Sequence, residues 1–248
     1  MERPYQANKA DLQILKDDSN YRVYDLTSGG AKASYFHNAL GGYHAAKPKR
    51  YQDLYEFYLS NNNINVLNML NAKYIIGQGE NGEPFPYVNN EANGNAWFVK
   101  QLKNVETADQ EIKALDSLDN KNVAIFSIAE LQEKKFQVDS TASIKVETYK
   151  PNYIKYNSNN SNDGFAVFSE MYYSNGWNAY IDGNLMPHYK VNYALRGLQI
   201  PKGKHTVEFK FEPKVVKTGS QIALASSVIL FLLIIGGLFY QFKTSKPE

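Results

Sequence analysis

The run Ile222–Phe242 reads IALASSVILFLLIIGGLFYQF without a charged residue, and it limits the possible folds more than any other feature. At ~1.5 Å rise per residue a helix of this length reaches roughly 30 Å, the thickness of a hydrocarbon core. Lys217 and Lys243 flank it, and Tyr240 and Phe242 stand where an interfacial aromatic belt lies. So long an uncharged run is rare in a soluble domain. The expectation is a transmembrane helix over residues 219–242 with a short basic tail at 243–248. Gly219, Ala223 and Ser227 recur at every fourth position, a small-residue face that admits a second helix closely; these are the candidate helix-packing residues.

The start of the chain, MERPYQANKADL, is polar and has no signal-peptide pattern. Lys204, Lys210, Lys214 and Lys217 outnumber Lys243 and Lys246 around the apolar run. Taken alone, this favours a tail anchor with the preceding residues in the cytoplasm.

The net charge is +2, so no strong field draws nucleic acid or acidic lipid. There is no cysteine, which removes disulfides, thiolate nucleophiles, Cys-ligated zinc and iron–sulfur clusters. Tyrosine is frequent, with 19 copies, and leans toward strands and half-wet surfaces.

Residues 1–9 read as a polar tail. Residues 10–133 alternate strand and helix patterns. Tyr21–Leu26, Lys73–Ile76, Ala96–Val99 and Val123–Phe126 suit strands. Asp53–Tyr58, Asn65–Tyr74 and Thr107–Leu118 suit helices, the last capped by Thr107. Residues 77–95, rich in Gly, Asn, Glu and Pro, read as a loop. Alternation of this kind predicts a small α/β layer region. From 134 to 213 only strand patterns occur: Ser143–Tyr149, Asn152–Tyr156, Phe165–Tyr173, Trp177–Ile181 and His205–Glu212. Asn157–Gly164 reads as a turn-rich loop, Asp182-Gly183 as a hairpin turn, and Pro201-Lys202-Gly203 as another turn. The predicted fold is α+β: a small α/β layer region, then an antiparallel β-sandwich, then one transmembrane helix.

Two stretches resemble a known family. The first runs Tyr35-Phe36-His37, Leu40-Gly41-Gly42-Tyr43-His44-Ala45-Ala46-Lys47 and Arg50-Tyr51-Gln52-Asp53-Leu54, followed by Val66 to Ile76. The second runs Tyr172 to Gly183, then Tyr193-Ala194-Leu195-Arg196-Gly197 and Pro201 to Phe209. Together they resemble the C-terminal part of YfhO-like bacterial membrane proteins, large polytopic proteins similar to glycosyltransferases of the GT-C type that use lipid-linked sugars. The resemblance implies a soluble region outside the cytoplasmic membrane, followed by a final helix, and this outweighs the lysine count for orientation. Such enzymes carry their catalytic acid in an early extracytoplasmic loop that has no counterpart here. The implied role is therefore a non-catalytic region assisting glycosyl transfer to an envelope glycan or from a lipid-linked sugar. The alternative is a membrane-anchored protein-interaction or scaffold module without a small ligand.

No nucleophile–base pair, P-loop, GxGxxG or HExxH occurs, so no catalytic residue, metal or cofactor is expected. Two groups of side chains are candidates for ligand binding. Tyr35, His37, Tyr43, His44, Arg50 and Tyr51 form a polar, aromatic loop suited to stacking on a sugar or to fixing that loop on the α/β layer. Tyr180, Tyr193 and Arg196, near Trp177, form the second; Trp177 shares its alternation face with Ala179 and Ile181 and so reads as core. Arg196 suits either pairing with Asp182 or gripping a phosphate. Expected partners are the lipid bilayer, other transmembrane helices, and an envelope glycan or polyprenyl-linked sugar; nucleic acid is not among them.

Overall fold

The computed structural model describes residues 5–28, 31–42 and 44–244. Two compact units divide the chain. One runs to Tyr172 and resumes over Asn178–Lys210; the other is Tyr173–Trp177 with the chain from Phe211 onward.

The first unit opens with α1 (Lys9–Ile14), β1 (Arg22–Asp25), α2 (Ala31–Phe36), β2 (Ala39–Leu40), α3 (Lys49–Leu54), α4 (Ile64–Met69), β3 (Ala72–Gln78) and β4 (Pro84–Val88). A four-stranded sheet results, in the order β2-β1-β3-β4. Its first three strands are parallel and β4 is antiparallel to β3. α1 starts with a capping box: the Asn8 side chain accepts from Asp11 N, and the Asp11 carboxylate accepts from Asn8 N. Ala10 and Ile14 of this helix bury with Tyr21, Val23 and Ile76 on one face of the sheet. On the other face Tyr24 packs with Leu59, Val66, Leu67 and Leu70, and its hydroxyl donates to Leu59 O.

Several expected boundaries shift. The helix predicted over 53–58 is α3 followed by a π-helical turn at Tyr55–Leu59. The helix predicted over 65–74 ends at Met69, because Asn71 takes φ 56° and turns the chain into β3. The 77–95 loop contains β4, whose Pro84 and Pro86 occupy the edge of the sheet.

The chain continues with β5 (Ala96–Val99), β6 (Gln101–Asn104), α5 (Ala108–Ala114), β7 (Val123–Phe126) and β8 (Lys134–Lys135). Thr107 caps α5 by accepting from Gln110 N. β7, β6 and β8 form a small sheet in that order.

The strand-only region supplies β9 (Ser143–Lys150), β10 (Tyr153–Asn160), β11 (Gly164–Met171), β12 (Trp177–Ile181), β13 (Asn184–Met186), β14 (Tyr189–Val191), β15 (Leu195–Ile200) and β16 (Gly203–Phe211). One sheet is ordered β13-β12-β16-β10-β9 and the other β14-β15-β11-β5. The two close on Tyr156 of β10, Phe168 of β11 and Phe209 of β16, all fully buried, with centroids of Phe168 5.0 Å from Tyr156 and 4.9 Å from Phe209. Edge-to-face rings of this kind add to the burial of their area. β5 pairs antiparallel with β11, so strand pairing crosses the 133/134 boundary expected from sequence. Asn157–Asn160, expected as loop, pair with β16, and Asn157–Asn159 pair with β9 as well. The turn at 182–183 matches its sequence signal, with Asp182 at φ 49° and Gly183 at 81°.

In the second unit the Trp177 and Phe211 rings pack 5.4 Å apart, and Glu212 N donates to Gly176 O. α6 (Lys214–Thr244) then runs for 31 residues with no buried side chain. At ~1.5 Å per residue it is about 45 Å long, sufficient for a bilayer core.

Candidate functional site

Two of the sequence candidates meet at the α3 surface. The turn between β14 and β15 holds Asn192 and Tyr193 at φ 47° and 70°. It tolerates this because Asn192 is clamped to β7: its N–H donates to Ile125 O at 2.8 Å and its Oδ1 accepts from Ile125 N at 2.9 Å. Tyr193 is thereby presented to α3. The Arg50 guanidinium lies 4.3 Å from the Tyr193 ring centroid and its Nη1 donates to Tyr193 O at 2.8 Å. The Tyr193 hydroxyl reaches Asp53 Oδ2, and its backbone N–H donates to Glu111 Oε1 at 2.9 Å.

Glu111 is fully buried and also accepts from Ser127 Oγ at 2.9 Å, with Arg50 Nη1 3.5 Å from its Oε2. A buried carboxylate needs such partners. Burial and the neighbouring Asp53 carboxylate push the Tyr193 hydroxyl up to about 12. Burial and the Arg50 charge lower the pKa of Lys190, against the pull of Glu111. The Arg50 side chain remains 32% exposed, and its Nε and Nη2 make no hydrogen bond among the described residues. The site thus offers a fixed ring, an open guanidinium edge and a lysine.

The other candidates go elsewhere. His37 is buried; its Nε2 lies 3.1 Å from Asp11 Oδ1, which ties the end of α2 to α1. Tyr35 is exposed and packs its edge on Phe36. His44 is exposed and accepts from Ala46 N through Nδ1. The Tyr51 hydroxyl accepts from Gly41 N at 3.3 Å. Tyr43 lies outside the described residues. Tyr180 sits under the Lys210 ammonium at 4.7 Å. Arg196 does not pair with Asp182. It is buried in the sandwich, donates from Nε to Met171 O at 3.0 Å and lies over Phe209 at 5.0 Å. Asp182 instead takes His205, 2.6 Å away, because the β12–β13 turn places it beside the start of β16.

Glu111, Asp53 and Ser127 escaped the sequence reading. Glu111 lies next to the apolar stripe of α5, and no local pattern separates a buried carboxylate from a solvated one there. A larger groove, about 600 Å³, runs between α1 and the β3–β4 hairpin and is lined by Lys9, Gln13, Glu80, Asn81 and Glu83 among others. Among the described residues no group of three or more His, Asp or Glu converges as metal ligands would.

Residues 37–223 match a family model described as bacterial membrane protein YfhO. The match enters after α2, takes in the Arg50–Tyr193 site and the sandwich, and ends inside α6. Comparison with curated proteins and with solved structures gives no match.

Proposed function

This chain belongs to the family of the bacterial membrane protein YfhO, and we propose that it acts as a non-catalytic, extracytoplasmic C-terminal region of such a protein, assisting glycosyl transfer to an envelope glycan or from a lipid-linked sugar. The observation that carries this reading is the extent of the match, which joins the strand-rich unit to the entry of α6. The Arg50–Tyr193 pair supports the ligand class. A guanidinium edge suits the phosphate of a lipid-linked sugar, and a tyrosine ring suits the C–H face of the sugar.

α6 supports contact with further membrane helices. A Cβ added at Gly219 meets nothing within 4 Å, and Ser227 Oγ donates back to Ala223 O at 2.8 Å. The Gly219, Ala223 and Ser227 face carries only small side chains, and the Ser227 hydroxyl is satisfied within the helix.

Orientation is testable with single thiols, because the sequence contains no cysteine. A membrane-impermeant maleimide should label Asn184→Cys in intact cells and Lys243→Cys only after permeabilisation; the reverse pattern overturns the orientation. The sugar content of envelope glycan should fall in Arg50→Ala and recover partly in Arg50→Lys. Unchanged glycan, together with loss of co-purifying membrane proteins in Gly219→Leu/Ala223→Leu, would favour the scaffold reading.

A further inference from the structure

The five-stranded sheet carries a second array, apart from the Arg50 site. Antiparallel pairing sets β9, β10 and β16 in rows. Ser143, Asn159 and Lys204 form one row, and Lys145, Asn157 and Thr206 the next. Cross-strand partners and residues two apart share a face. The intervening residues Ile144 and Ser158 are buried, His205 between Lys204 and Thr206 is half-buried, and Val207 and Phe209 further along β16 are buried, so these six side chains stand on the solvent side. They border a depression of about 450 Å³ whose lining also includes Asp182 and His205.

The negative charge nearby is already spent. Asp182 Oδ2 lies 2.6 Å from His205 Nδ1, and its Oδ1 accepts from Thr206 N at 2.9 Å. That hydrogen bond raises the pKa of His205, so the ring cancels the carboxylate further toward neutral pH. Glu147 takes Lys155 at 2.9 Å and Asn157 Nδ2 at 2.8 Å. Glu208 takes the Tyr153 hydroxyl at 2.7 Å and Lys210 at 3.3 Å.

Lys145 and Lys204 are different: among the described residues neither ammonium makes an ion pair or a hydrogen bond. The side chains of Ser143, Asn159 and Thr206 are equally uncommitted. The two lysines stand two strands and one row apart, about 12 Å at the usual strand spacing and rise. Their four-carbon stems let both ammonium groups reach one anion between them.

We propose that this patch binds a phosphoryl group carried by a ligand. A tetrahedral phosphate presents oxygens in several directions, which fits two ammonium groups on separate strands with hydroxyl and amide donors between them. A planar carboxylate engages fewer of these donors at once. The site stands whether or not the chain serves glycosyl transfer, and on either side of the membrane. The phosphoryl group has two possible sources, a phospholipid headgroup or a soluble phosphate compound.

The test uses the full chain in a nonionic polyoxyethylene detergent, which brings neither phosphate nor sugar. Inorganic phosphate, pyrophosphate and acetate are titrated while the amide NMR signals of Asn159, Thr206 and Lys204 are followed. A parallel series dopes the micelles with phosphatidylglycerol. Pyrophosphate or phosphate should shift these signals more strongly than acetate, and Lys145→Gln/Lys204→Gln should weaken binding at least tenfold. Shifts with the soluble anions identify a soluble phosphate compound as the source; shifts with phosphatidylglycerol alone identify a lipid headgroup. Thr206→Val keeps both lysines and should weaken binding by a smaller factor. Absence of shifts in every series, equal response to acetate, or binding that survives both lysine substitutions overturns the proposal and leaves the thiol-labelling result unaffected.

Discussion

The Tyr193 hydroxyl donates a 2.6 Å hydrogen bond to Asp53 Oδ2, which joins the β14–β15 turn to α3 across 140 residues of sequence. Tyr193→Phe keeps the ring under Arg50 and removes only this bond. A hydrogen bond to a charged acceptor contributes about 1.5–3 kcal/mol, so the urea midpoint should fall with an unchanged slope. The folded pKa lies above the unfolded one. The contribution is therefore complete below about pH 10 and is lost as pH rises toward 12. An unchanged midpoint in the variant would show that the bond adds nothing net.

Glu111 is a fully buried carboxylate that gathers the Tyr193 N–H, Ser127 Oγ and the Arg50 charge. Glu111→Ala leaves a buried N–H without an acceptor and should cost about 1–3 kcal/mol, the range for an unsatisfied buried donor. Glu111→Gln retains one acceptor oxygen and should cost less. Equal thermal midpoints for the two variants would contradict this account of the site.

Tyr156 offers a change in the opposite direction. Its ring is fully buried between the sheets, and its hydroxyl has no hydrogen-bond partner among the described residues. Tyr156→Phe preserves the packing against Phe168 and Phe209 and removes the unpaired polar group. Stability should hold or rise by about 1 kcal/mol, read as a higher midpoint in chemical denaturation; a clear fall would mean that the hydroxyl is satisfied in solution.

His188 makes the fold acid-sensitive. Burial, with the Arg196 charge as a second cause, lowers its pKa from 6.5 to about 4. Between these values the unfolded chain binds a proton that the folded chain does not, so stability falls as pH drops from 6.5 toward 4. The loss at the acid end is on the order of 3 kcal/mol. His188→Gln should flatten the stability–pH curve across that window relative to the parent; parallel curves would remove His188 as the cause.

Gly197 sits in mid-strand on β15, where a Cβ would lie 2.5 Å from Phe165 Cζ and 3.1 Å from Val191 Cγ1. Gly197→Ala should destabilise by about 1–3 kcal/mol through overpacking. Adding Phe165→Leu makes room, so the double variant should regain part of the loss in a thermal scan. If the two substitutions simply add, the clash is not what the glycine avoids.

What the sequence discloses depends on how local the cause is. β16 is readable because Val207 and Phe209 alternate with polar residues over a long strand, and both are fully buried. Thr107 and Asp182-Gly183 are readable because a cap and a tight turn act within four residues. β4 is hidden by Pro84 and Pro86, which read as breakers yet are tolerated at a sheet edge. Asn157–Asn160 look like a turn because asparagine favours turns, but pairing with β16, and for the first three also with β9, holds them extended. In the candidate site, Arg50 and Tyr193 are each visible as residue types. Their meeting rests on the Asn192 clamp to β7, a long-range contact without local pattern. Arg196 misleads for the same reason: its place between the sheets follows from the β11–β15 pairing, not from the nearby hairpin.

The prolines of β4 also bear on how copies of the chain behave when crowded. A proline cannot donate across a ladder, so Pro84 and Pro86 turn their missing N–H positions away from β3, toward the open side. Tethering to a membrane holds neighbours in two dimensions and multiplies their encounters. An open rim that cannot supply donors at alternate positions gives an incoming strand nothing regular to zip onto. Dense expression should therefore leave the β4 rims of neighbouring copies unpaired with each other.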